Sequence, residues 1–296
     1  MCDANMMDDA DWQALLAHIR AHPVEGNPAE MRRAFARLAP PPVAGKALEP
    51  GGVPCLSFGA GGPPLVWVHG GGLVFGSPET HSAMASYLAG QLGRAVIVPR
   101  YALAPEHRAP AQRDDVLAVV DALDGPVDLG GDSAGGQLAI LAALHRPDAV
   151  RALALISPNT DRSGQSVTRI PNSPSDAMND HASDLRLAKM AFGENLAADP
   201  DASPLVHELS ALPPVWISAA TSEVLLDDTL LFIRALGQEG VPVAARIERG
   251  LCHMWPLWPD RLAQARATLE AIAHFLNAAP VQGGDTSMEK IVSLSC

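Results

Sequence analysis

A chain of 296 residues with 48% hydrophobic side chains is long enough to bury a large core, either as one α/β domain or as two smaller ones. Its formal net charge of −12, with no clustered Lys/Arg patch, argues against a nucleic acid or an anionic membrane surface as partner. No run approaches the roughly 18 apolar residues of a membrane span. The N-terminus, MCDANMMDDADW, is acidic where a signal peptide is basic, so the cytoplasm is the expected location.

In chain order, residues 1–45 are helix-like (DWQALLAHIRAH, AEMRRAFARLA) and precede any strand. Short β-rich apolar runs then alternate with helical patterns. The strands are VPCLSF (53–58), PLVWVH (64–69), AVIVPR (95–100), VDLG (127–130), ALALIS (152–157), PVWISA (214–219) and VPVAARIE (241–248). Between most of them lie HSAMASYLAGQLG, RDDVLAVVDALDG, AGGQLAILAALH and DDTLLFIRALGQEG, with apolar residues at helical spacing. Strands alternating with helices require crossover connections, hence an α/β fold whose mostly parallel sheet is covered on both faces.

One segment breaks the alternation. Residues 158–213 hold polar, turn-rich sequence followed by the short helical pattern DLRLAKMAFG, and a structureless loop of that length is unusual, which marks a functional insertion. The expected organisation is N-terminal helices (1–45) that join this insertion (158–213) as a helical cap, a core in two pieces (46–157 and 214–280), and a loosely held tail (281–296). The four cysteines, Cys2, Cys55, Cys252 and Cys296, lack metal-site or disulfide-framework spacing and read as reduced thiols. Cys252 is either a packing residue or a redox switch, and no nearby thiol could resolve it.

Chemistry concentrates around Gly131-Asp132-Ser133-Ala134-Gly135, a G-x-S-x-G pattern with a strand before it and a helix after it. A sharp strand-to-helix turn needs small neighbours and holds the serine hydroxyl out at the positive end of the helix. The pentapeptide alone is weak; its context carries the reading. A lone serine is a poor nucleophile and needs a base, an orienting carboxylate and donors for a developing oxyanion. His69-Gly70-Gly71-Gly72, upstream after PLVWV, offers bare glycine amides for that purpose, with the amide of Ala134 as a further donor.

HGGGLVFGS, RYALAPEHRAPAQRDD, GDSAGG, LPPVWISAATSEVLLDD and GLCHMWP, in that order over roughly residues 50 to 277, resemble the hormone-sensitive-lipase-like family of α/β-hydrolases, the bacterial esterases marked by HGGG and GDSAG. The resemblance implies an α/β-hydrolase fold with an eight-stranded, mostly parallel sheet, helices on both faces and a helical cap. It also implies hydrolysis of carboxylic esters through an acyl-enzyme, without metal or cofactor, by a monomer or homodimer.

Carried onto this sequence, the resemblance makes Ser133 the nucleophile and the amides of Gly71, Gly72 and Ala134 the oxyanion donors, while His69 braces its loop. The order Ser, acid, His singles out His253 among ten histidines as the base. The others read as surface residues (His18, His22, His145, His274) or as turn and helix-start residues (His81, His107, His181, His207). For the acid, relatives carry an Asp where this chain reads Ser222-Glu223-Val224-Leu225-Leu226-Asp227, so Glu223 takes that place; Asp227, one helical turn on, and Asp228 stay open as alternatives. Glu106 and His107 read as structural, and Asp132 as a bonding partner for neighbouring loops. Leu73, Val74, Phe75, Met254 and Trp255 either line the substrate pocket or pack beneath the cap. With only 5 Trp, 2 Tyr and 6 Phe, a small soluble ester is the expected substrate rather than a long-chain triglyceride. A lactone or amide hydrolase would use the same residues, and a ligand-binding member of the fold would have lost them.

Overall fold

Leu65 and Trp67 face one side of a strand whose Val66 and Val68 face the other, and all four are fully buried. Such a run fits only a sheet covered on both faces. The computed structural model describes residues 10–279, in which eight strands form one sheet: β1 (Lys46–Leu48), β2 (Cys55–Phe58), β3 (Leu65–Val68), β4 (Val96–Pro99), β5 (Val127–Asp132), β6 (Val150–Ile156), β7 (Val215–Ala220) and β8 (Val243–Glu248). The strand order is β1-β2-β4-β3-β5-β6-β7-β8, parallel from β4 to β8, with β1 and β2 antiparallel at one edge. Seven strands match the apolar runs of the sequence. The eighth, β1, is three residues long with two of them exposed, too short to show a pattern.

Among the described residues, eight α-helices accompany the sheet: α1 (Ala10–Ala21), α2 (Pro28–Leu38), α3 (Ser82–Leu92), α4 (Ala111–Asp121), α5 (Ala134–His145), α6 (His181–Phe192), α7 (Leu226–Gln238) and α8 (Ala263–Ala278). On one face, Val66, Val68, Leu129 and Ile217 pack against α4, α5 and α7 through residues such as Val116, Leu138 and Phe232. On the other, Leu65, Trp67, Val98 and Ile156 pack against α3 and α8, with Trp12, Leu15 and Phe35 of α1 and α2 in the same cluster. Each fully buried aliphatic or aromatic side chain contributes about 1.5–3 kcal/mol. α5 is buried along ten consecutive residues, Ala134–Ala143, which explains why it carries almost no polar side chain. No described helix is long and apolar enough to cross a membrane.

Residues 158–213 contain α6 and several single-turn 3₁₀ segments, and no strand among the described residues. Buried charges anchor the segment. Arg169 donates to Asp184 at 2.5 Å and to Asp228 at 2.6 Å, Arg162 also pairs with Asp184, and both arginines donate to the Asn159 side chain. All four charged side chains are less than a tenth exposed. Removing one partner leaves an uncompensated buried charge, which costs several kcal/mol. Arg169→Met is expected to destabilise the protein by about 3 kcal/mol in denaturant unfolding; a loss below about 1 kcal/mol would show that Arg162 and the backbone amides alone compensate Asp184 and Asp228. The tail expected over 281–296, with Cys2 and Cys296, lies outside the described residues.

Candidate active site

The sheet's parallel strands point their carboxyl ends at one rim, where ligands of open α/β sheets bind. β5 ends there at Asp132. Ser133 follows with φ 55° and ψ −124°, a left-handed backbone that a non-glycine residue adopts only under strain, and α5 starts at the next residue. The approach of helix to strand is close: a Cβ on Gly135 would lie 2.0 Å from the Val68 carbonyl oxygen, so only glycine fits there. The Ser133 amide donates to the Ile156 carbonyl at 2.9 Å, tying the turn to β6. Its hydroxyl is 3.5 Å from the Asn159 Nδ2, a long and weak contact.

The glycine loop after β3 folds back over this turn. Gly72 sits at φ +58°, and a Cβ there would meet Leu187 of α6 at 2.5 Å, so the loop's small residues let the insertion close on it. Asp132 braces the loop from below, accepting the Gly70 amide at 3.0 Å, Trp67 Nε1 at 2.9 Å and His81 Nε2 at 3.2 Å. Burial raises the pKa of Asp132, but the charge and hydrogen bond of His81 and the Trp67 bond outweigh it and hold the group below its usual value. His69 bonds the Gly70 carbonyl at 2.9 Å and stacks on Tyr101, whose hydroxyl donates to the His69 carbonyl. Burial and the neighbouring His81 lower its pKa to about 3, so it stays neutral.

His253 and Glu223 meet 30 residues apart in the chain, in the loops that follow β8 and β7. Nδ1 of His253 is 2.7 Å from Glu223 Oε2, with both side chains buried. Glu223 Oε1 accepts from Ser157 Oγ at 2.8 Å and from the Ala220 amide at 2.7 Å, which fixes the carboxylate plane. Burial alone would lower the His253 pKa; the hydrogen bond to Glu223 and the charges of Glu223, Asp176 and Asp132 reverse this and leave it raised to about 8. Nε2 of His253 is buried without a partner among the described residues. Asp227 and Asp228 point elsewhere. Asp227 accepts the Val167 amide, and Asp228 accepts the amides of Thr160 and Asp161 as well as Arg169.

Ser133, His253, Gly71 and Gly72 line one cavity of about 40 Å³, together with Phe75, Met254 and Leu187. Val24 and Phe35 reach it from the N-terminal helical region, and Met178, Asn179 and Asp184 from residues 158–213. It shares Val24, Phe75, Met178, Asn179 and Leu187 with an adjoining groove of about 210 Å³. Ala134 is buried at the start of α5 and does not line the cavity. Leu73, Val74 and Trp255 do not line it either; their side chains are spent on the two hydrophobic clusters. Cys252 is buried, and burial together with the charges of Asp176 and Glu223 pushes its thiol well above the ordinary range, so it is an unreactive packing residue.

Two residues escaped the sequence reading. His81, read as a bland helix-start residue, is fully buried against Asp132. Asp176 lies in the polar segment PNSPSDAMND and is buried beside His253 and Glu223. Carboxylate and imidazole atoms of these three residues approach within 4.8 Å of one another, but the Asp176 oxygens accept backbone amides and Glu223 accepts three protein donors, so the atoms a metal would need are already engaged.

An eight-stranded, mostly parallel sheet with a serine at the turn after its fifth strand is the architecture of the α/β-hydrolases. A family model described as alpha/beta hydrolase fold matches residues 65–257. The chain is 31% identical over 229 residues to an acetyl-hydrolase of Streptomyces hygroscopicus, covering 74% of this chain and 77% of that one. It is 30% identical to an esterase of Acinetobacter venetianus, covering 70% and 72%. In structure it superposes on an esterase from the bacterial hormone-sensitive lipase family with a TM-score of 0.86 and 25% identity, over 92% of this chain and 99% of that one. The chain belongs to the α/β-hydrolase family, in its hormone-sensitive-lipase-like branch of bacterial carboxylesterases.

Proposed function

We propose that this protein hydrolyses small, short-chain carboxylic esters through an acyl-enzyme. The observation that carries the reading is the buried Glu223–His253 pair, whose histidine lines the same small cavity as Ser133, Gly71 and Gly72. His253 Nε2 takes the Ser133 Oγ proton as Oγ attacks the carbonyl carbon. Glu223 holds the imidazole by Nδ1 and stabilises the imidazolium that forms. The oxyanion is received by the amides of Gly71, Gly72 and Ala134. His253 then returns the proton to the leaving alkoxide, and a water repeats the sequence to release the acid.

Substrate size is governed by the cap, formed by the helices of residues 1–45 and the insertion 158–213. A cavity of about 40 Å³ beside Ser133 favours an acyl group of few carbons, while the groove of about 210 Å³ has room for the rest of the substrate. The Streptomyces relative's name, acetyl-hydrolase, agrees with that size. The test is a ladder of p-nitrophenyl esters from acetate to palmitate. Turnover falling steadily beyond the shortest chains supports the reading; a maximum at the long chains, or silence on every ester, defeats it.

The base must be neutral to accept a proton, so the raised His253 pKa has a direct kinetic sign. Protonated His253 dominates below pH 8, and kcat/KM is expected to climb about tenfold per pH unit toward a plateau above pH 8, leaving about a tenth of the maximum at pH 7. A p-nitrophenyl acetate profile between pH 6 and 10 measures this, and a curve already flat at pH 7 would remove the claimed shift.

A further inference from the structure

We propose that Asp176 is a positioning residue for this reaction, a second carboxylate delivered by the insertion that clamps the Glu223 and His253 loops together and keeps a negative charge beside the imidazole. The inference rests on the reading of His253 as base and extends it.

Asp176 is 77 residues from His253 in the chain and only 8% exposed. Its Oδ1 accepts the backbone amide of His253 at 3.1 Å and that of Met178 at 3.1 Å, and its Oδ2 accepts the backbone amide of Val224, the residue after Glu223, at 3.1 Å. One side chain therefore bonds the main chain of the base and the main chain next to the acid. Its neighbours reinforce the attachment. Asn172 Nδ2 donates to the Glu223 carbonyl at 2.8 Å, and Ser175 Oγ donates to the Ser222 carbonyl at 3.0 Å. The segment 172–176 thus holds the acid-bearing loop at three points. Asp176 also borders the groove leading to the cavity, so the same loop that shapes substrate access fixes the base.

Burying a carboxylate next to another carboxylate is costly, and a purely structural clamp could use a neutral acceptor such as a serine or asparagine oxygen. The charge has a use where the reaction creates an imidazolium. The groups facing Asp176 are Glu223 from the loop after β7 and Cys252 and His253 from the loop after β8; Asp132 of β5 also acts on His253. His22, Glu25, Asp180 and Arg186 share the groove with it. Burial and the Glu223 charge raise the Asp176 pKa to about 6, against the opposing pull of His253, so the carboxylate is charged in the range where His253 titrates. Neutralising it has two consequences of opposite sense: the base becomes free at lower pH, and the transition state loses stabilisation.

Asp176→Asn keeps the volume and one acceptor while removing the charge; Asp176→Glu restores the charge. In the Asn variant kcat for p-nitrophenyl acetate is expected to fall about 10–100-fold with KM within about threefold, and the rise of kcat/KM with pH to move about one unit toward acid. The Glu variant should recover most of the shift. Independently of turnover, the His253 ring protons are titrated by NMR in Ser133→Ala with and without Asp176→Asn, where a fall of about one unit in the imidazole pKa is expected. An enzyme silent on every ester would defeat the esterase reading and leave this titration standing as the test. An unmoved imidazole titration overturns the proposal, as does a loss of kcat that tracks a lowered unfolding midpoint with an unshifted pH profile.

Discussion

Ser133→Ala is expected to fold as well as the parent chain and to lose turnover of p-nitrophenyl acetate by about 10⁴- to 10⁶-fold. The separation of the two effects follows from what the side chain touches. Ser133 is 5% exposed, and its hydroxyl makes one long contact, at 3.5 Å, to Asn159, so removing it leaves no buried group deprived of a strong partner. The turn is set by the backbone, through the Ser133 amide to Ile156 and the close seat of Gly135 under Val68, and alanine preserves both. On the proposed mechanism, what disappears is the atom that forms the acyl intermediate, and the residual rate is what the proposed oxyanion donors and binding achieve without it. Steady-state rates, labelling by a fluorophosphonate and thermal unfolding, measured side by side, decide the matter. A residual activity within tenfold of the parent would assign the chemistry to a different nucleophile.

Glu223→Gln is expected to cost about 10⁴-fold in kcat, and Asp227→Asn less than about threefold. The glutamate uses both oxygens as acceptors, Oε2 toward His253 Nδ1 and Oε1 toward Ser157 and the Ala220 amide. A glutamine must present an NH₂ to one of these donors. Turned toward Ala220 it breaks the support of the side chain, and turned toward His253 it forces the proton onto Nε2, the nitrogen that the proposed mechanism needs free to accept. Asp227 accepts only the Val167 amide in the insertion, so its replacement disturbs a loop contact and not the base. Parallel kinetics above pH 8, where His253 of the parent is neutral, keep the comparison on the chemical step. If Asp227→Asn were the crippled variant, the acid would have been misassigned.

The central strands were legible because both faces of the sheet are covered: Leu65-Val66-Trp67-Val68 and Ala152 to Ile156 are apolar without a break. The serine turn was legible because small residues join a short strand to an apolar helix, with Gly130 and Gly131 before the serine and Gly135 after it. Glu223, Asp227 and Asp228 look alike in sequence, and the structure separates them by direction. Glu223 precedes α7 and turns back to His253, whereas Asp228, in the first turn of that helix, enters the insertion to meet Arg169. Leu73, Val74 and Trp255 flank the motifs, yet adjacency in the chain does not set which side of a loop a side chain leaves, and these three face the core. Asp176 had no signal at all. It lies in a segment without periodicity, and besides the Met178 amide two residues on, its partners are backbone amides 48 and 77 residues away, which no local pattern encodes.

The left-handed backbone at Ser133 is a cost carried in the fold itself. Every folded molecule carries that conformational penalty, of order 1–3 kcal/mol, and a glycine at 133 would relieve part of it. The strain belongs to the Cβ and not to the hydroxyl, so alanine at 133 keeps it, and only glycine releases it, at the cost of a more flexible unfolded chain.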